Sequence, residues 1–260
     1  ARRIVAEIER TVAAETGAEL EDVAGETLLK IRPQTSFAIG AILKPLVTRY
    51  RKRSILGLSL MIAQAFVYNA ILFTYALVLT RFYHVRADAT GLYLLPFALS
   101  NFLGPLVLGK FFDTIGRRQM IAGTFAVSAL LLILTGWLFE RDALSTFSQS
   151  ALWTVMFFFA SPAASAAYLT VSEVFPLEMR ALAIAIFYAA GTAVGGIVAP
   201  WFFGRLIESG SRQALMSGYI VAAVLMILAA VVEAMLGVAA EGASLEKIAA
   251  PLSVDETPDV

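Results

Sequence analysis

Six long apolar runs divide the chain, at Ser54–Thr80, Gly91–Phe112, Gln119–Phe139, Phe147–Val171, Ala181–Gly204 and Ala214–Val238. Each exceeds the roughly 18 residues that mark a membrane-helix candidate, and crossing the hydrocarbon takes about 20. In lipid the backbone polar groups must bond within their own segment, so runs of this length become helices. Barrel strands would be about ten residues long and would alternate in polarity. With 59% hydrophobic and 15% charged residues, the chain is too apolar for a soluble domain of this length. The expected fold class is therefore an all-α membrane protein with six transmembrane helices.

The chain has no cysteine, which removes disulfides, thiolate nucleophiles and thiolate metal sites together. Its formal net charge is zero, so no global field attracts nucleic acid, and none is expected as a partner. No initiator Met or signal-peptide pattern opens the chain, and Ala1 falls within a charged helical segment. The expectation is a fragment of a longer protein. Basic residues set the orientation. One set of loops carries Lys44, Arg49, Arg51, Lys52 and Arg53, then Lys110, Arg117 and Arg118, then Arg180, with Lys247 after the last run. The other set carries Arg81, Arg86, Arg141, Arg205 and Arg212. The positive-inside rule places the first set and both termini in the cytoplasm, as expected of a multi-pass protein of a plasma or inner membrane.

Residues 1–53 read as a charged cytoplasmic linker, 54–240 as the transmembrane unit and 241–260 as a tail. Ile4, Ile8 and Val12 recur at helical spacing among charges, giving an amphipathic helix. A second candidate helix runs from Ser36 past Leu43 and is interrupted at Pro45. In the first run Gln64, Tyr68 and Tyr75 share a helix face, with Asn69 beside them. Polar side chains at this depth serve either as interhelical glue or as the lining of a wet cavity. Pro96 and Pro105 break the second run, and Asn101 between them either lines a cavity or bonds a freed carbonyl. Gly191 and Gly195 form a small-residue face for close helix packing. Glu233, near the cytoplasmic end of the sixth run, is explained first by interfacial snorkelling, with a titrating intramembrane carboxylate as the alternative. There is no H-E-x-x-H, no paired intramembrane Asp and no nucleophile elbow, so no enzyme is expected. A channel would want a filter loop or a ring of like charges, and neither is present.

Two charged loops join the runs. Gly109-Lys-Phe-Phe-Asp113-Thr-Ile-Gly116-Arg117-Arg118 links the second to the third, and Glu173-Val-Phe-Pro176-Leu-Glu-Met-Arg180 links the fourth to the fifth. The first resembles the G-x-x-x-D-x-x-G-R-R loop of major facilitator superfamily transporters. The second resembles the E-x-x-P-x-x-x-R element of the sugar-porter branch. Gln64, Asn69 and Phe73 resemble the helix opening the second half of those porters (Q-x-x-x-x-N and an aromatic). The stretch from Glu241 to Ile248 resembles their tail. The departures are Ala63 for a second Gln, Phe66-Val67 for Ser-Gly, and Ala164-Ser165 for Gly-Pro. Tyr168 stands for Trp, and Gly191 for an asparagine.

The resemblance implies the C-terminal six-helix half of a facilitator: two inverted three-helix repeats preceded by a cytoplasmic helical linker. Substrate would bind at the midplane against a missing N-terminal half. It implies alternating-access transport of a small organic solute, a sugar or sugar-like substrate first. Aromatic acids, other organic anions or metabolites, and a non-transporting fragment are the alternatives. The candidate substrate-binding residues are Gln64, Tyr68, Asn69, Tyr75, Asn101 and Tyr168. Gly109, Asp113, Gly116, Arg117, Arg118, Glu173, Pro176, Arg180 and Glu246 would form a cytoplasmic gate, with arginine forks bridging carboxylates of neighbouring helices. No metal or cofactor is expected, and any proton-coupling carboxylate would lie in the other half.

Overall fold

The computed structural model describes residues 2–16, 39–239, 248–249 and 251–252, and among them every regular element is helical. The chain falls into two units, Ala1–Gln34 with Ser253–Val260 and Thr35–Leu252. The first contains α1 (Arg2–Thr16), which carries Ile4, Ile8 and Val12 at its surface. The second is the helical bundle. Its elements are α2 (Ile39–Val47), α3 (Arg51–Leu72), α4 (Tyr75–Tyr83), a 3₁₀ turn (Ala87–Tyr93), α5 (Leu94–Thr114) and α6 (Arg117–Glu140). They continue with α7 (Thr146–Val174), α8 (Leu177–Thr192), a π-helical turn (Ala193–Val198), α9 (Ala199–Glu208) and α10 (Arg212–Leu236). Six stretches are long and apolar enough to span a bilayer, one for each apolar run of the sequence.

α6 lies between α7 and α10, α5 packs on α7, and α3 meets α7, α8 and α10. An aromatic column holds the middle. Phe97 of α5 stacks on Phe157 of α7 at 5.7 Å and meets Trp153 and Tyr75 edge-on at 5.9 and 5.7 Å. Tyr68 of α3 meets Phe157 edge-on at 5.0 Å. Such pairs add about 0.5–1.5 kcal/mol each beyond the area they bury.

The first run does not form one helix. Asn69 turns its side-chain amide back onto the Ala65 carbonyl at 2.7 Å, and Thr74 bonds the Ala70 carbonyl in the same way. This back-bonding bends helices, and the chain re-enters helix at Tyr75. The fifth span is also interrupted. Pro200 opens α9 without an N–H to bond backward, and the turn before it is wound as a π-helix.

The second span is not broken as its prolines suggest. Pro96 sits in the first turn of α5, where its N–H is not needed, and Pro105 lies inside an unbroken helix. Pro105 leaves the carbonyl four residues back, that of Asn101, without its helical donor. The Ser161 hydroxyl of α7 takes that place at 2.8 Å. On the facing helix, Pro162 frees the carbonyl of Phe158. That oxygen abuts Gly104, where a Cβ would come within 2.3 Å of it. The opposite helix thus supplies a donor at the first vacancy and close packing at the second.

At the end away from the two charged motifs, Ser145 and Ser211 cap α7 and α10, each accepting a backbone N–H at 3.2 Å. Arg212 reaches Asp142 at 2.7 Å, donates to the Phe139 carbonyl at 3.1 Å and lies over the Phe139 ring at 4.6 Å. It ties α10 to the α6–α7 loop.

Ser161→Ala would leave the Asn101 carbonyl orphaned between α5 and α7. The expected loss is about 1–3 kcal/mol, read as a lower unfolding midpoint in detergent. Ser172→Ala, which removes an exposed hydroxyl bonded to its own helix, should be nearly neutral.

Candidate functional site

A cavity of about 220 Å³ opens between α3, α7 and α8, lined by Met61, Gln64, Ala65, Tyr68, Asn69, Tyr168, Tyr188, Gly191 and Thr192. The helical spacing of Gln64 and Tyr68, with Asn69 next in the chain, places three of these side chains on one side of α3. Tyr168 approaches from α7, its ring 6.2 Å from that of Tyr188 on α8, and its hydroxyl interacts with Gln64. Asn69 spends one of its two amide N–H donors on the Ala65 carbonyl, which leaves the other donor and its side-chain oxygen.

Four of the six expected substrate residues thus meet in one cavity: Gln64, Tyr68, Asn69 and Tyr168. The other two stand elsewhere. Tyr75 lies beyond the break in the first span and packs on Phe97, because the helical register that would align it with Gln64 is lost between Leu72 and Tyr75. Asn101 stands behind the cavity, its side-chain oxygen accepting the Tyr68 hydroxyl at 2.9 Å. It orients Tyr68 and lines no part of the wall.

Tyr188 and Thr192 were not singled out from the sequence. Their spacing of four on an apolar helix was the available signal. Gly191 between them explains why α8 has no polar side chain at the position where sugar porters commonly carry asparagine. A Cβ there would fall 2.8 Å from the Met61 carbonyl oxygen, and one at Gly195 would fall 2.4 Å from the Ala65 backbone. The two glycines let α8 and the π turn close onto α3, and the polar atoms of this wall come from the neighbouring turn positions instead.

The charged motifs converge at one end of the bundle. Gly116 adopts φ +113° before α6, a conformation that favours glycine, and this turn places Arg117 back under α5. Arg117 pairs with Glu173 at the end of α7 and lies 4.0 Å from Asp113. Side-chain exposure separates the two carboxylates: 18% for Glu173 against 75% for Asp113. Arg118 caps α10 by donating to the Ala234 carbonyl. Arg180 donates to the Phe175 carbonyl at 3.4 Å. Pro176 is buried at the N-terminus of α8. Gly109 and Asp113 border a second cavity of about 220 Å³ against Pro162 and Leu169. Glu246 lies outside the described residues.

Arg53 joins this cluster without having been distinguished from the basic residues around it. It donates to the Val174 carbonyl at the C-terminus of α7 and, at 2.8 Å, to the Ile248 carbonyl. A cation placed there also meets the negative end of the helix dipole. The Leu252 N–H donates to Glu178 at 3.1 Å, a second anchor for this stretch. Glu233 does not snorkel. It is 1% exposed, its Oε2 has no hydrogen-bond partner among the described residues, and Arg118 is the charged group acting on it. α10 packs against α6 along its length, so this part of the helix faces protein and not the interface.

Because Glu173 is mostly enclosed and Asp113 is not, removing their shared cation should be felt unequally. Arg117→Gln strands a carboxylate and is expected to cost about 1–3 kcal/mol. Asp113→Asn should cost well under about 1 kcal/mol. Thermal unfolding of the two variants in detergent, at low and high salt, tests that order.

The family described as "Sugar (and other) transporter" matches residues 3–251. No match was found among curated proteins or among solved structures. The match covers nearly all of the chain, including both charged motifs and the cavity residues. With six apolar helices of spanning length, it makes the chain a multi-pass integral membrane protein with the six-helix plan of half a facilitator. The chain belongs to the sugar (and other) transporter family, whose work is to carry sugars or related solutes across a membrane.

Proposed function

We propose that this chain supplies one wall of the substrate site of a carrier for neutral, polyhydroxylated solutes, moved by alternating access. The observation behind this reading is the chemistry of the cavity. Its polar groups are the amides of Gln64 and Asn69, the phenols of Tyr68, Tyr168 and Tyr188, and the hydroxyl of Thr192. All are neutral. Amides and hydroxyls both donate and accept, which suits the alternating donors and acceptors of a sugar, and the tilted Tyr168 and Tyr188 rings offer faces to its C–H groups. An organic anion desolvated at this depth would need a cationic partner, and none of the lining residues supplies one. Aromatic acids are therefore the second reading, favoured only by the paired tyrosine rings.

A second six-helix unit as partner also belongs to this proposal. The second and fifth spans are the least enclosed, with 17% and 22% of their central windows buried against 44–61% for the other four. α8, which walls the cavity, is part of the fifth. A partner half packed on these faces would complete the cavity and exclude water from it. Arg117, Glu173, Arg53, Asp113 and Arg180 would then form the cytoplasmic latch, holding α3, α6 and α7 together when the cavity faces outward and loosening as it turns inward. Asp113, exposed in this unit, is the group placed to engage the partner. The cavity lining has no carboxylate, histidine or amine for proton coupling, which would be supplied by the other half.

Uptake of labelled hexoses and of aromatic acids by the full-length protein in proteoliposomes tests this reading. Gln64→Ala and Asn69→Ala are expected to lower hexose uptake tenfold or more. Tyr188→Phe should weaken apparent affinity a few-fold. Saturable uptake of an acid, with hexose uptake absent, would replace the sugar assignment by its rival.

A further inference from the structure

Away from the substrate cavity, an apolar groove lies between α2, the start of α3 and α8. It measures about 480 Å³ and is walled by Leu43, Val47, Ile55, Leu58, Ile186 and Phe187. Only two lining residues are polar. Ser54 is satisfied, donating to the Leu46 carbonyl at 2.8 Å. Arg51 is exposed, with no carboxylate paired to it among the described residues.

Depth fixes the kind of occupant. Arg51 opens α3 and Leu58 lies seven residues further along, about 10 Å into the span at the helical rise. Ile186 stands nine residues into α8, about 14 Å deep by the same rise. The groove therefore runs from the polar end of the bundle through most of one leaflet, whose hydrocarbon is about 15 Å thick. Its walls are not sealed by the protein: Val47 is 72% exposed.

Charge fixes the headgroup. No Asp or Glu occurs between Glu26 and Asp88, whereas Lys44, Arg49, Arg51, Lys52 and Arg53 all fall in the segment around the start of α3, and Arg51 lines the groove. Glu178, the acid in the first turn of α8, accepts the Leu252 N–H. An uncharged or purely apolar occupant would cover Arg51 and leave its charge without compensation, which is costly. A phosphate at the end of an acyl chain satisfies both halves of the site at once. We propose that this groove seats one anionic diacyl phospholipid, its phosphate on Arg51 and one chain against Val47, Ile55, Leu58 and Ile186. The proposal stands apart from the sugar reading, since no residue is shared between groove and cavity.

The test is native mass spectrometry of the full-length protein, delipidated in detergent and given equal amounts of dioleoylphosphatidylglycerol and dioleoylphosphatidylcholine. Phosphatidylglycerol adducts should dominate. Arg51→Gln should cut that preference about fivefold, the contribution of one basic residue at a lipid surface, while Arg51→Lys keeps it. Ile55→Trp, which fills the groove, should lower retention of both lipids, and soluble glycerol phosphate should not displace them. Equal retention of both lipids by the unaltered protein would overturn the proposal. So would adducts unchanged in both Arg51→Gln and Ile55→Trp. Displacement by glycerol phosphate with Ile55→Trp harmless would also overturn it, showing a plain phosphate site. Circular dichroism of each variant separates loss of the site from loss of the fold.

Discussion

A carbonyl oxygen inside a bilayer has no water to turn to, and this bundle is organised around that fact. Pro105 and Pro162 each remove one helical donor from facing helices. Across the interface the Ser161 hydroxyl donates to the Asn101 carbonyl, and Gly104 lets α5 close onto the Phe158 carbonyl. The exchange locks α5 to α7 at a fixed height. It also holds Asn101 where its side chain orients Tyr68 at the back of the cavity. A backbone requirement thereby becomes a constraint on the site.

The same logic governs the interruptions. The first and fifth spans depart from regular helix, between α3 and α4 and between α8 and α9, and α3 and α8 are two of the three elements that wall the cavity. Side-chain back-bonding ends α3, and a π turn precedes Pro200. The glycines of the π region then bring α8 close enough to α3 to face Tyr188 and Thr192 toward Gln64 and Asn69.

At the polar end, arginines divide their work by what they reach. Arg117 pairs with carboxylates across three helix ends, while Arg53, Arg118 and Arg180 cap backbone carbonyls at the ends of α7 and α10 and in the α7–α8 loop. A guanidinium suits both tasks, since its planar fork can meet a carboxylate or two carbonyls without losing charge. Arg51 differs from these in lining an open groove, with no acid paired to it among the described residues.

Six apolar runs and two charged loops were enough to read the fold class, the family resemblance and the pairing of Arg117 with carboxylates, because hydrophobic length and motif spacing are local properties. Gln64, Tyr68 and Asn69 were legible as polar groups at helical spacing in an apolar helix, and Tyr168 through the family resemblance, where it stands for a tryptophan. What sequence left undecided depended on distance across helices. Tyr75 lost its register to a break that begins with the Asn69 amide. Asn101 served a tyrosine instead of the cavity. Glu233 turned inward, and Tyr188, Thr192 and Arg53 gained partners their own segments do not name. The length of the apolar runs by itself determined that this chain lives in a membrane as helices. Only the packing of those helices decided which polar atoms share a cavity, since an identical side chain on the next turn faces a different neighbour.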